Sequence, residues 1–440
     1  MKKLSIDVLK YMQARGVILL AFLFILSACN KDEFSILEEE APATRSGADA
    51  TNLISELPVI TFEELLAKLA TDFVEAISPV LEQLDLPGKL ASKHLRTYKV
   101  STQTPHPDGS GSMITVSGVV ILPENYSGAL RFVISPPPTF TENDAAPSII
   151  FSGERDVPLL YENFLNYLYF VALNAFQGCA IFMPDYPGFG DSFGQCVHPY
   201  ALKKPLIEST LDLAKVAKAA VQTLGYELKE EVIVTGYSQG GLVGTAVGHE
   251  LDTNGAAHNM PLKILFAGGV PANLKAMIDI ARISPYLPLS FVFPYATYGF
   301  QQNGYPEINM SELLRAPYDK KVPDTFDGYH SVVQALAAYP KSNLLLFKSA
   351  VILNNEKVAS VALLNRLLEE NSIAPWKNNA PVVFLHGLTD RTVYYYNVLT
   401  YIKEMKELGG TPELITAPLG HVVTIFDYLL RLPLYIADNV

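Results

Sequence analysis

Five short runs of the chain carry apolar residues consecutively rather than at alternate positions: "LRFVIS" (130–135), "CAIFMPDY" (179–186), "EVIVTG" (231–236), "LKILFAGG" (262–269) and "PVVFLHG" (381–387). A strand of this kind has no face for water, so both sides of its sheet must be covered. The intervening stretches supply the cover. Residues 159–177 are an aromatic-rich helical run, and 206–225 place Leu206, Leu211, Leu213 and Val216 on one helical face, with Gly225 as the stop. A helix of small residues follows 231–236. Beyond 381–387 the spacing predicts a helix over 392–408, a strand "PELITAP" (412–418) and a terminal helix from 423. Alternation of this type predicts an α/β fold, a mostly parallel sheet with helices on both faces.

Two features flank this pattern. Upstream, "LRTYKVSTQT" and "ITVSGVVILP" enclose "PHPDGSGSM", whose Pro, Asp and Gly content marks a hairpin connection. Residues 61–85 before it carry Phe62, Leu65, Leu66, Leu69 and Phe73 at helical spacing. Further on, the alternation stops over 271–376, a segment that contains "SPYLPLSFVFPYATYGF" (284–300). Pro285, Pro288 and Pro294 interrupt that apolar run and argue against a membrane helix, so an inserted helical cap over the carboxyl edge of the sheet is expected. Its aromatic residues would either line a substrate pocket or form the cap's own core. The core is accordingly divided into 59–270 and 377–440, with the cap between.

At the N-terminus, Lys2, Lys3, Lys10 and Arg15 precede the apolar run 17–28, which has the build of a secretory signal and is too short for a permanent span. Its end, Leu26-Ser27-Ala28-Cys29, resembles a bacterial lipobox. That resemblance implies removal of 1–28, lipid on Cys29, a membrane held through the N-terminal lipid anchor, and export to the outer membrane or cell surface. Residues 29–58, with "EEEAPATRSGADATN", read as a flexible tether. The chain has 33 Lys and Arg against 45 Asp and Glu, a net charge of −12 with no basic run, which speaks against nucleic acid as a partner. Cys179 and Cys196 read as two unpaired buried thiols. No Cys or His spacing suits a metal, and no cofactor is implied. The oligomeric state is left open.

The chemistry centres on "VIVTGYSQGGLVG" (232–244). A serine hydroxyl becomes a useful nucleophile only when a base takes its proton during attack. The Gly-x-Ser-x-Gly arrangement presents it on a tight strand-to-helix turn beside which only tiny side chains fit, and Gly236 and Gly240 occupy those places around Ser238. The base must be a histidine held by a carboxylate. Of the later histidines, His249 falls within the following helix, His258 in a polar loop, His330 in the cap, and His386 at a strand end. His421 lies in a loop just past "PELITAP", from which it can reach over Ser238. Asp390, three residues beyond Gly387, is the expected acid and could also cap the next helix; Asp185 is the runner-up but precedes the serine. An acyl-transfer transition state also needs two oxyanion donors. The backbone N–H of Gln239 is one. The loop after "LRFVIS" begins Pro136-Pro137-Pro138, which have no N–H, so Thr139 is the first possible second donor.

These residues resemble the α/β-hydrolases, and within them the secreted lipase/esterase-like group with a helical cap. The resemblance spans 95–435 and rests on "SGVVILP", "PDYPGFGDS" with "HPY", "GYSQGG", "HGLTDRTV" and "GH". It implies that Ser238, Asp390 and His421 act as nucleophile, acid and base in an ester hydrolase working through an acyl-enzyme on a small-molecule or lipid ester. It also implies that "PDYPGFGDS" shapes the pocket. The chain departs from the pattern at Pro137-Pro138, where relatives often carry His-Gly. Two other readings fit the same residues: a serine exopeptidase of the superfamily, and a non-catalytic surface binding lipoprotein on a hydrolase fold.

Overall fold

The computed structural model describes residues 53–57, 60–61, 94–124, 126–152 and 178–439. Their strands are β1 Leu53–Glu56, β2 Ile60–Thr61, β3 His94–Pro105, β4 Met113–Pro123, β5 Leu130–Ile134, β6 Cys179–Pro184, β7 Leu228–Tyr237, β8 Leu262–Gly268, β9 Val382–Gly387 and β10 Glu413–Ala417. One sheet takes them all in the order β1-β3-β4-β6-β5-β7-β8-β9-β10, with β2 beside β3. The hairpin expected over 95–123 is present, with Leu95 opposite Pro123 and Pro105 opposite Met113. From β6 through β10 every neighbouring pair is parallel.

Side chains along these strands alternate between two separate cores. Val232 and Val234 pack in one with Val382 and Phe384, whereas Ile233 packs in the other with Val383 and Leu385. Both sides are covered, which is why the central strands carry buried residues at consecutive positions. Helices α1 Lys203–Thr223 and α2 Gln239–His258 carry the chain from β6 to β7 and from β7 to β8. The opposite face packs against α7 His421–Asn439 through Ile425, Tyr428, Leu429 and Leu432. The sheet is thus the mostly parallel, helix-covered α/β architecture expected.

Between β8 and β9 the chain forms a series of helices, including α3 Leu274–Ile283, α4 Val292–Gln302 and α5 Ala359–Glu370; α6 Tyr395–Glu407 then leads from β9 to β10. The run 284–300 does not form one continuous helix. α4 starts only at Val292 and accommodates Pro294 in its first turn, where a missing N–H has no intrahelical partner to lose. Tyr295 and Phe300 are buried core residues, and the Tyr295 ring stacks on Phe326 at 4.4 Å.

Several expectations are corrected. The tether read over 29–58 does not extend through Leu53–Glu56, which pair antiparallel with Tyr98–Ser101 as an edge strand. His421 is not a loop residue but the first residue of α7, and His258 ends α2 rather than lying in a loop. Residues 1–28, Cys29, the remaining tether to 52 and the helical run 159–177 lie outside the described residues; so does the run 61–85 apart from Thr61, which ends β2.

Candidate active site

β7 ends at Tyr237 and α2 begins at Gln239, leaving Ser238 alone at the turn with φ 57° and ψ −116°. A non-glycine residue in such a conformation carries strain on the order of 1–3 kcal/mol, tolerated only where the surroundings hold it. Here Ser238 N donates to Gly268 O at 2.9 Å, and Gly236 N donates to the Tyr428 hydroxyl at 2.9 Å. The two glycines are required by close approach. A Cβ on Gly236 would strike the carbonyl oxygen of Gly240, and one on Gly240 would strike that of Pro136.

Ser238 Oγ lies 2.8 Å from His421 Nε2, and His421 Nδ1 lies 2.6 Å from Asp390 Oδ2. The other oxygen of Asp390 accepts from the N–H groups of Thr392 and Val393, both at 2.9 Å. Asp390 therefore meets the histidine and also holds the turn leading into α6. Ser238 is partly exposed, while His421 and Asp390 are buried. Such a chain can move a proton from the serine to Nε2 while the carboxylate holds the ring N–H on the far side. Thr424 N and Oγ1 both donate to Gly420 O, at 2.9 and 2.8 Å, which fixes the first turn of α7 and with it His421.

Sequence reasoning passed over two supports of this array. The Tyr237 hydroxyl donates to the backbone oxygen of His421 at 2.6 Å. His386 is fully buried behind Asp390, donating from Nε2 to Val393 O at 2.8 Å with Asp390 Oδ2 at 3.5 Å. Since a carbonyl only accepts, Nε2 carries the ring proton and Nδ1, which has no partner, is the bare nitrogen. Burial pulls the His386 pKa below its ordinary value, with the nearby Asp390 charge opposing. The neighbouring tyrosine and "HG" were both visible in the chain, but nothing in their spacing announced these contacts.

The remaining candidates lie elsewhere. His249 stacks on Trp376 at 4.5 Å, His258 meets Glu250 at 2.9 Å, and His330 meets Asp327 at 2.9 Å. Asp185 is buried with its carboxylate accepting from Ser117 and Ser148, and burial raises its pKa. Cys179 and Cys196 are free, the first buried and the second half-buried; burial pushes both thiols up to about 12. Among the described residues no group of three or more His, Cys, Asp or Glu could hold a metal.

Ser238, Gln239 and Thr139 open together onto one cleft. Its walls are apolar, with Leu274, Met277 and Ile278 from α3, Val292 and Phe293 from α4, and Leu368 from α5. Phe293 thus lines the cleft, while Tyr295 on the same helix belongs to the core, so the aromatic run divides between the two roles it could have played.

The model of the alpha/beta hydrolase family matches residues 158–427. No curated protein matches the chain by sequence. Among solved structures, it is similar to a putative hydrolase from Legionella pneumophila at 22% identity and TM-score 0.72, covering 88% of this chain and 96% of that one. It is also similar to the rice cell wall degrading esterase LipA from Xanthomonas oryzae, with 20% identity, TM-score 0.68 and coverage of 89% and 98%. Candida antarctica lipase A in its closed state is similar at 16% identity and TM-score 0.57, over 77% and 75% of the two chains. With a family model that spans more than half of its length, the chain belongs to the α/β hydrolase family.

Proposed function

We propose that this hydrolase is a serine esterase that cleaves carboxylic esters through an acyl-enzyme, and that it works outside the cell on a lipid anchor at Cys29. The observation that carries the reading is the continuous contact from Ser238 through His421 to Asp390. In this mechanism His421 takes the Ser238 proton as Oγ attacks the ester carbonyl, and Asp390 steadies the imidazolium that forms. The backbone N–H groups of Gln239 and Thr139 stabilise the oxyanion. The tetrahedral intermediate collapses, His421 returns the proton to the departing alcohol, and water then enters by the same route to release the acid.

The helices between β8 and β9 act as the cap, and the apolar wall they supply favours an apolar acyl group. Two structural neighbours, an esterase and a lipase, support the same bond type. The test is a chain-length series of p-nitrophenyl esters run beside aminoacyl-naphthylamides, on wild type and Ser238→Ala. Ester turnover that disappears in Ser238→Ala, together with fluorophosphonate labelling of the wild type alone, is expected. Amide turnover above ester turnover would move the enzyme to the peptidases, and a folded wild type that resists labelling would make it a binding protein. Release of the full-length protein from membranes should require detergent, and Cys29→Ser should abolish that need.

A further inference from the structure

Gln239 follows the proposed nucleophile, and its side chain has a fixed partner as well as its backbone. Its Nε2 lies 2.7 Å from His198 Nε2, while His198 Nδ1 lies 2.9 Å from the Pro187 carbonyl oxygen. That oxygen can only accept, so Nδ1 carries the ring proton. Burial holds His198 neutral, pulling its pKa down to about 4. His198 Nε2 is therefore the acceptor and the Gln239 amide the donor. The ring has little room to turn, with Tyr186 at 5.5 Å, Phe189 at 5.1 Å and Tyr295 at 5.7 Å between centroids.

The same segment grips the opposite side of the cleft. The Tyr186 hydroxyl donates to Pro137 O at 2.7 Å, and the Tyr200 hydroxyl shares a hydrogen bond with Thr139 Oγ1 at 3.1 Å. Tyr200 stacks on Tyr295 of α4 at 4.4 Å, and Tyr295 donates to Phe140 O at 3.3 Å. Residues 186–200 thus touch both Gln239 and the 137–139 loop, the two places from which an oxyanion would be held.

We propose that His198 is a positioning residue that fixes the Gln239 N–H, and that the 186–200 segment sets its spacing from Thr139. The proposal rests on the serine-hydrolase reading above. The peptide joining Ser238 to Gln239 is the one whose orientation aims this N–H, and it follows a strained residue that would relax by rotating it. Holding the Gln239 side chain opposes that rotation. Oxyanion donors act by being in place before charge develops, and a displacement of about 1 Å can cost about 100-fold in rate.

The test uses His198→Phe, which keeps a ring among the aromatic residues but removes the acceptor, and Gln239→Met, which removes the donor but keeps the backbone N–H. Activity is normalised to end-point fluorophosphonate labelling, so that any unfolded fraction drops out. Each variant should lose about 10- to 100-fold in kcat with little change in KM. The double variant should be no slower than the slower single one. The inhibition constant of a trifluoromethyl ketone should rise by the factor by which kcat/KM falls, because only the adduct presents an oxyanion. If His198→Phe does not fold, Gln239→Met decides alone. Unchanged kcat per labelled site, a loss confined to KM, or additive effects in the double variant would overturn the proposal. Turnover that survives Ser238→Ala is a different result, which removes the nucleophile and this proposal with it.

Discussion

The Tyr237 hydroxyl donates to the backbone oxygen of His421 at 2.6 Å, so the residue before the proposed nucleophile holds the main chain of the proposed base. Their rings lie 5.4 Å apart. Tyr237→Phe keeps the ring and removes one buried hydrogen bond, worth about 1 kcal/mol in stability. The first turn of α7 would gain freedom at His421, and kcat should fall about tenfold, since about 1.4 kcal/mol of lost alignment is one decade in rate. Ester kinetics and thermal unfolding of the same sample test this; a fall in KM-related binding with unchanged kcat would contradict it.

Asp390→Asn separates the two jobs of that side chain. The amide oxygen can still accept from Thr392 and Val393, so the turn into α6 should survive. Its NH2 group would then face His421 Nδ1 and favour the wrong ring tautomer. The expected loss is about 10⁴-fold in kcat with a near-native melting curve.

Ser238→Gly should abolish ester turnover while making the protein more stable. Glycine adopts φ 57° without the steric strain that a side chain meets there. A gain of about 1 kcal/mol in denaturant unfolding is expected, less what glycine adds to unfolded-chain entropy. A variant less stable than Ser238→Ala would show that the surroundings do not hold Ser238 against strain.

Glu142 offers a pH test of how the loop after β5 docks on the inserted helices. Glu142 bridges to Gly328, Asn143 N donates to Gly328 O at 2.7 Å, and one Glu142 carboxylate oxygen is buried without a partner. Burial raises its pKa to about 7; the Asp144 charge adds to the rise and His330 opposes it. The folded protein therefore binds this proton more tightly than the unfolded chain. Stability from the group is full below the ordinary value of 4.5 and is lost as pH climbs through about 7. Glu142→Gln stays neutral, so it should match wild type near pH 4 and exceed it by about 1–3 kcal/mol near pH 8. Parallel unfolding curves across that range are the measurement.

Much of this arrangement was legible residue by residue. Ser238 could be placed on its turn because Gly236 and Gly240 flank it after a run that had to be a buried strand. Asp390 and His421 could be chosen because each follows a predicted strand and so falls at the same edge of a parallel sheet. The position of His421 within α7 was missed, since "LGH" reads equally well as loop or helix start until Tyr237 and Thr424 are seen to hold it. His258 was misread for a similar reason, since its helix continues past a kink at Asn254 to end at His258.

The contacts around the site were not legible at all. His198 precedes Gln239 by forty-one residues, and Tyr186 and Pro137 lie in different loops. Such pairings depend on how loops fold over the carboxyl edge, for which local spacing carries no signal.

The amino-acid sequence by itself determined that the sheet would be mostly parallel and covered on both faces, because consecutive apolar residues in a strand leave no other way to exclude water. It also determined where a serine could sit on a strained turn. Only the tertiary structure decided that His421 meets Ser238 and Asp390 meets His421 within hydrogen-bond distance, and which side chains hold Gln239. Those choices turn on separations of an ångström between residues remote in the chain, a scale that hydrophobic periodicity does not reach.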